Sequence, residues 1–376
     1  MRRAMGRRLP LSTVTRSQTG AVTQAGVPLA GYTTLRLGGP VGRFVQAERA
    51  ADLVDAVRAA DVAGEPLLVV GGGSNLLVGD EGFAGLAVRV ATSGCGYDRL
   101  GDGEVQLTVE AGADWDETVA RTVAEELGGL ECLSGIPGLV GATPVQNVGA
   151  YGVEVADRLV SVDLLDRRSG QVRTVPADAL RLGYRSSVLK GTDSAVVLRV
   201  RFALTNGGRS APIRYAELAR TLGVPTGARV PVAQARAAVL ELRRAKGMVL
   251  DATDHDTWSA GSFFTNPVLP DEALGAVRAL VTARLGQDAV LPTYPADPGH
   301  TKLSAAWLIE RAGFGKGYAG PGGRVTLSTK HTLALTNRGA ASTADLLALA
   351  AEVRDGVLAA FGVRLHPEPV LVGCSL

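Results

Sequence analysis

The stretch GIPGLVGATPVQNVGAYG, residues 135–152, restricts the possible folds of this chain more than any other segment. It holds five glycines and two prolines in eighteen residues. Such a backbone keeps neither the 3.6-residue period of a helix nor the two-residue period of a strand. It can adopt positive φ and approach another molecule closely. Its only strongly polar side chains, Gln146 and Asn147, donate and accept hydrogen bonds without carrying charge. A long surface loop has the same glycine content, but the apolar residues between these glycines argue against full solvation. The alternative is a segment wrapped around a large ligand.

A chain of 376 residues exceeds one typical domain, so two or three compact units are expected. An apolar fraction of 46% with 20% charged residues is that of a globular protein. A net charge of only +2 implies no general attraction to nucleic acid or membrane. Cys95, Cys132 and Cys374 are odd in number, far apart and without a CxxC pair. They suggest neither a disulfide framework nor a metal site, and fit a reducing cytoplasm. No apolar run approaches the ~20 residues of a membrane span. Arg2, Arg3, Arg7 and Arg8 precede a polar stretch rather than an apolar core, so residues 1–25 read as a flexible extension.

Periodicity predicts an α+β chain. Helices are expected over 48–63, 115–127 (capped by Asp114), 232–244, 271–285 and 346–361. Strands are expected over 66–70, 87–90, 105–109, 159–165, 172–175, 195–204 and 370–372. The cluster NGGRS at 206–210 marks a boundary between units.

Four motifs have residues suited to chemistry. In LLVVGGGSN, a buried strand runs into Gly71, Gly72, Gly73, Ser74 and Asn75. Successive N–H groups there can form an anion nest, although an ordinary strand-ending turn fits equally well. It is neither a GxGxxG fingerprint nor a P-loop. In AGSFFTNP, Ser262 is a hydroxyl beside two aromatics, suited to proton delivery in a dry pocket or merely to capping a strand end. In GYRSS, Arg185 offers a planar fork for a developing carboxylate or enolate, or a surface ion pair. In HPEP, Glu368 lies between two prolines, as an acid or orienting group or as an exposed turn residue.

Taken in order, these motifs carry a resemblance. The chain is similar to the UDP-N-acetylenolpyruvoylglucosamine reductase family from TTLRLGG at 33–39 to Glu368, through GGGSN, GIPGxxGxxPxQNxGAYG, GYRxS, AGSFFxNP, KLSAAWLIERAGFGKG and PE. The resemblance implies a two-part flavin-binding region of the PCMH type, similar to vanillyl-alcohol oxidase, plus a smaller α/β substrate-binding domain. The units would be 26–90 with 345–376, 91–205, and 206–344. Non-covalent FAD would lie between the first two units. Gly71–Asn75 and Gly135, Ile136, Pro137 and Gly138 would meet its pyrophosphate. Gln146, Asn147, Gly149, Ala150 and Tyr151 would line it further along.

The resemblance also implies a reaction in two halves. NADPH would reduce the flavin, and the enolpyruvyl ether of UDP-N-acetylglucosamine would then take the hydride, giving UDP-N-acetylmuramate for peptidoglycan. Ser262 would deliver the proton, with Arg185 and Glu368 stabilising the carboxylate and enolate. Tyr215, Lys246 and Asn266 would contact the substrate. Arg311 stands where related chains often carry glutamine, and residues 248–259 depart from the family segment. The expected protein is a cytoplasmic monomer with no metal, nucleic-acid or membrane partner. Two other readings are an oxidase on a similar flavin-binding fold and a non-catalytic nucleotide-binding module. Many such oxidases tether flavin through a histidine or cysteine in the N-terminal half; this chain has no histidine before His255, and Cys95 and Cys132 lie outside the glycine-rich motifs. Intact Arg185, Ser262 and Glu368 argue against the second.

Overall fold

A computed structural model describes Thr15–Arg16 and residues 22–101 and 103–376. Most of the expected 1–25 extension therefore lies outside the described residues. Its last part does not behave as an extension. Strand Val22–Gln24 pairs with strand Pro40–Ala47, placing Thr23 opposite Val45, because this edge would otherwise present unpaired backbone groups.

The first sheet is parallel at its centre. Strand Pro40–Ala47 is followed by helix Ala50–Ala63, and the chain returns through Leu67–Val70 to Phe83–Val90. The helix buries Leu53, Val54, Val57 and Ala60, spaced to lie on one face, and ends in a left-handed cap at Gly64. The second sheet is antiparallel and five-stranded, in the order 172–176, 159–166, 195–205, 104–110, 95–101. Helix Trp115–Ala124 packs beside it, with the Asp114 carboxylate accepting from the Glu117 N–H as expected. The helix stops three residues before the expected end. Gly128 must turn out of it to exchange hydrogen bonds with Thr205, and Glu126 takes φ +57° to make that turn.

The later elements pack in two groups. Helices Ala216–Leu222 and Val232–Ala245 bury Leu218, Ala235 and Val239 in the same core as the five-stranded sheet. A second core joins helices Leu274–Leu285 and Ala305–Ala312 to the C-terminal helix Thr343–Phe361 and to Leu35, Leu37 and Leu77. The C-terminal helix was expected with residues 26–90. Its face of Leu346, Leu349, Ala350, Val353 and Val357 is buried in this second core, which includes Leu35, Leu37 and Leu77 of that unit, and Thr343 at its start donates to the Val78 carbonyl and the Asp80 carboxylate. Strand Val370–Val372 does return to the first unit, running parallel to Leu76–Val78. Among the described residues no helix is long and apolar enough to cross a membrane.

Candidate active site

The two glycine-rich loops meet. A Cβ on Gly72 would lie 2.7 Å from the Gly138 Cα, and one on Gly73 would lie 1.9 Å from the Tyr32 carbonyl oxygen. Only glycine permits this approach of one backbone to another. Among the described residues the N–H groups of Gly72, Gly73 and Ser74 donate to no backbone or side-chain acceptor. The loop is half-exposed. Three free donors on a half-exposed glycine turn have the chemistry of an anion nest, so these residues fit the pyrophosphate of FAD. The facing loop is held from behind, since the Asp116 carboxylate accepts from the Gly135 N–H at 2.6 Å and from both ends of the Arg236 guanidinium. Those donors keep the Asp116 carboxyl below the usual range even though burial acts against it.

Further along, the run ends in a hairpin. Gly149 pairs with Glu154 and Ala150 with Val153, and Tyr151 and Gly152 turn the chain with φ +51° and +79°. Leu139, Val140, Val145 and Val148 pack into the first core, which explains why this glycine-rich segment is not a solvated loop. Gln146 accepts from Asn75 Nδ2 at 3.0 Å, tying the two loops together a second time. Asn147 is placed differently from its expected role. Its amide is occupied internally, donating to Glu154 and to the Gly183 carbonyl and accepting from Ala156, and it is fully buried. Its side chain fixes the hairpin to the turn that carries Arg185.

Arg185 sits at φ +51°, an uncommon conformation for a residue with a Cβ. The turn is closed by paired hydrogen bonds between Gly183 and Ser186. Ser187 Oγ donates to the Val145 carbonyl, and Lys190 Nζ donates to the Arg185 carbonyl at 2.7 Å. The guanidinium donates to the Gly149 carbonyl at 2.7 Å and stands 3.8 Å from Glu368 Oε1. Burial pushes the Glu368 carboxyl above its ordinary value, while Arg185 and Lys190 pull it back.

The residues that follow Ser262 pair with the Glu368 segment through the backbone. The Glu368 N–H donates to the Phe263 carbonyl at 2.8 Å, Phe264 bridges Pro367, and the Thr265 N–H donates to the His366 carbonyl. Phe263 and Phe264 are buried edge to face behind the half-buried serine. The Glu368 carbonyl accepts from Asn75 Nδ2, so the nest loop touches the same segment. Asn75, Arg185 and the segment that follows Ser262 thus each reach Glu368 from different parts of the chain.

The remaining candidates are less concentrated. Tyr215 is exposed and edge-on to Tyr151, with ring centroids 5.5 Å apart. Burial pushes the Tyr151 phenol up to about 12. Lys246 is paired with Glu217 at 2.7 Å. Asn266 Oδ1 accepts from the Ala305 N–H at the start of helix Ala305–Ala312. Arg311 lies at the exposed end of that helix, its guanidinium carbon 5.9 Å from the Trp307 ring centre and its carbonyl accepting from Arg284 Nε at 3.2 Å. Sequence reasoning missed Asp116, Arg236, Lys190 and Glu154. Each acts by holding a loop that local spacing does not reveal, so no motif carries a signal for it.

Comparison with known proteins adds an independent line. Residues 252–372 match the UDP-N-acetylenolpyruvoylglucosamine reductase C-terminal domain, and residues 41–176 match an FAD-binding domain. The first match contains Ser262 and Glu368, and the second contains both glycine-rich loops. The UDP-N-acetylenolpyruvoylglucosamine reductase of Saccharopolyspora erythraea is 69% identical over 96% of this chain and 98% of its own length. The chain belongs to the UDP-N-acetylenolpyruvoylglucosamine reductase family. The Nocardia farcinica member is 60% identical over 96% of this chain and 92% of its own. A crystal structure of the Thermus caldophilus member, at 25% identity and TM-score 0.63, covers 96% of this chain and is itself covered completely. Family membership with an FAD-binding domain makes the chain an FAD-dependent oxidoreductase. The expected α+β flavin-binding fold class stands.

Proposed function

We propose that the chain reduces the enolpyruvyl ether of UDP-N-acetylglucosamine to UDP-N-acetylmuramate, with NADPH as reductant, in peptidoglycan precursor synthesis. The names of its relatives support the substrate. One observation carries the residue assignment: Arg185, Glu368 and the Ser262 segment, distant in sequence, are joined by an ion-pair distance of 3.8 Å and a backbone hydrogen bond of 2.8 Å. The flavin-binding unit would comprise the regions around 26–90 and 91–205, with substrate contacts from Tyr215, Lys246 and Asn266.

When bound, FAD supplies the relay that carries a hydride from NADPH to the terminal vinyl carbon. Gly72, Gly73, Ser74 and the 135–138 loop would hold its pyrophosphate through backbone N–H groups. Hydride addition leaves an electron pair on the carbon beside the substrate carboxylate. Ser262 donates its hydroxyl proton to that carbon. Arg185 stabilises the negative charge on the carboxylate during the step, and Glu368 holds the guanidinium fork in place. Serine is a weak acid, so the step depends on this neighbouring charge. Phe263 and Phe264 keep water from competing for the carbanion.

The test is anaerobic stopped-flow on the two halves separately. Ser262→Ala should leave NADPH-driven flavin bleaching intact and slow reoxidation by the enolpyruvyl sugar about 10²- to 10⁴-fold. Equal slowing of both halves would sink the assignment of Ser262. Protein that stays colourless after purification with added FAD would sink the flavoenzyme reading itself.

A further inference from the structure

The segment TTLRLGG opens the family resemblance, yet none of its residues has a part in the chemistry above. The structure places it between the cofactor loop and the Ser262 segment. The Thr34 N–H donates to the Gly73 carbonyl at 3.2 Å, and Thr34 Oγ1 donates to the Ser259 carbonyl at 2.6 Å. One buried threonine therefore bridges the glycine nest and the approach to Ser262.

Arg36, two residues on, lies across the indole of Trp258, its guanidinium carbon 3.7 Å from the ring centre. His255 packs edge-on against the same indole, with centroids 4.3 Å apart. Arg36 is held at φ +53°, a left-handed conformation uncommon for a residue with a Cβ. The buried Asn337 secures it. Its amide donates to the Leu35 carbonyl at 3.0 Å, and its own N–H donates to the Trp258 carbonyl at 3.1 Å. Both partners of the stack are thus fixed to one residue of strand Leu335–Asn337. Trp258 falls in the 248–259 stretch that departs from the family segment, four residues before Ser262. From Trp258 the chain passes through Ser259, whose hydroxyl accepts from the Gly261 N–H, directly to Ser262.

We infer that the Arg36–Trp258 stack is a positioning clamp that sets where Ser262 stands relative to the cofactor loop. Arg36 and Trp258 touch no reacting atom in this reading. They act through Thr34, Ser259 and Asn337, and the inference rests on Ser262 being the proton donor. Held strain beside a fixed hydrogen-bond bridge is what a site needing placement within a fraction of an ångström requires.

The experiment compares Trp258→Leu, Trp258→Phe, Ser262→Ala and the double variant Trp258→Leu/Ser262→Ala in the two half-reactions, alongside FAD content. Trp258→Leu should slow reoxidation by the enolpyruvyl sugar about 10- to 100-fold while flavin reduction by NADPH and FAD content stay unchanged. Trp258→Phe, which keeps an aromatic face for Arg36, should restore most of the rate. The double variant should be no slower than Ser262→Ala alone, because the clamp acts only through that serine. Equal losses in both half-reactions, or a double variant slowed by the product of the two effects, would overturn the clamp. A slow Ser262→Ala beside a normal Trp258→Leu removes the clamp alone, whereas a Ser262→Ala of wild-type rate removes the reading beneath it. If Trp258→Leu does not fold, Arg36→Leu at its exposed position decides on the same readouts.

Discussion

At the scale of single residues, environment separates side chains of the same type. Glu368 and Glu154 both reach loops of the candidate site, but they do different work. Glu154 accepts from the Asn147 amide and fixes a hairpin, whereas Glu368 is half-buried opposite Arg185. Its raised carboxyl has a consequence for stability. The folded state favours the protonated form, so this contribution is complete below the ordinary glutamate value of 4.5 and is lost as pH rises through the raised value. Glu368→Gln removes that loss. The melting temperature of Glu368→Gln relative to the wild type should therefore climb with pH from about 4.5 upward and stay level below it. A difference that shrinks with rising pH in a melting series would contradict the assigned environment.

At the scale of elements, the glycine loops offer a sharp comparison. Gly71 and Gly72 are neighbours and neither has positive φ, so an added methyl group differs only in the space it meets. At Gly71 the nearest atoms are side-chain carbons of Leu139 and Ala142 at 3.8–4.0 Å, which is ordinary contact. At Gly72 it would meet the Gly138 backbone at 2.7 Å and force the two loops apart. Gly72→Ala should weaken FAD binding by about tenfold or more, equivalent to at least 1.4 kcal/mol, with Gly71→Ala close to wild type. Titrating apoprotein with FAD and following flavin fluorescence quenching measures both. Equal affinities for the two variants would mean that the loop contact is not what shapes the cradle.

Among the described residues three apolar clusters organise the molecule: Leu29, Val41, Phe44, Val70, Val78 and Ala87 form the smallest, and the two larger ones cut across the sequence order. The C-terminal helix shows this most clearly. Leu349 is fully buried in a core shared by helices Leu274–Leu285 and Ala305–Ala312 and by Leu35, Leu37 and Leu77. Leu349→Ala should destabilise the fold by about 2–5 kcal/mol in urea unfolding, as a large-to-small change in a packed core does. A cost within about 0.5 kcal/mol, typical of a surface site, would mean that the helix is not packed there.

Local sequence determined much of this protein. Periodicity set the helices at 50–63, 232–245 and 343–361 and the long strands at 159–166 and 195–205, because side-chain spacing along one element is a local property. Glycine density marked both cradle loops, since only residues without a Cβ tolerate backbone approaches such as that of Gly72 to Gly138. Arg185, Ser262 and Glu368 stood out through motifs that a single chain displays on its own. Only tertiary structure decided what these pieces face. An apolar helix stripe does not specify its partner, so only the fold shows that the C-terminal helix packs with helices Leu274–Leu285 and Ala305–Ala312 as well as with Leu35, Leu37 and Leu77. An asparagine in a glycine-rich run has the same hydrogen-bonding capacity whether it meets a ligand or the backbone. At Asn147 the folded neighbours Glu154, Ala156 and Gly183 took that capacity. The link from Thr34 to both Gly73 and Ser259 spans more than 200 residues of sequence. Such long-range contacts have no local period or spacing, because they exist only once two distant segments have been folded into the same place.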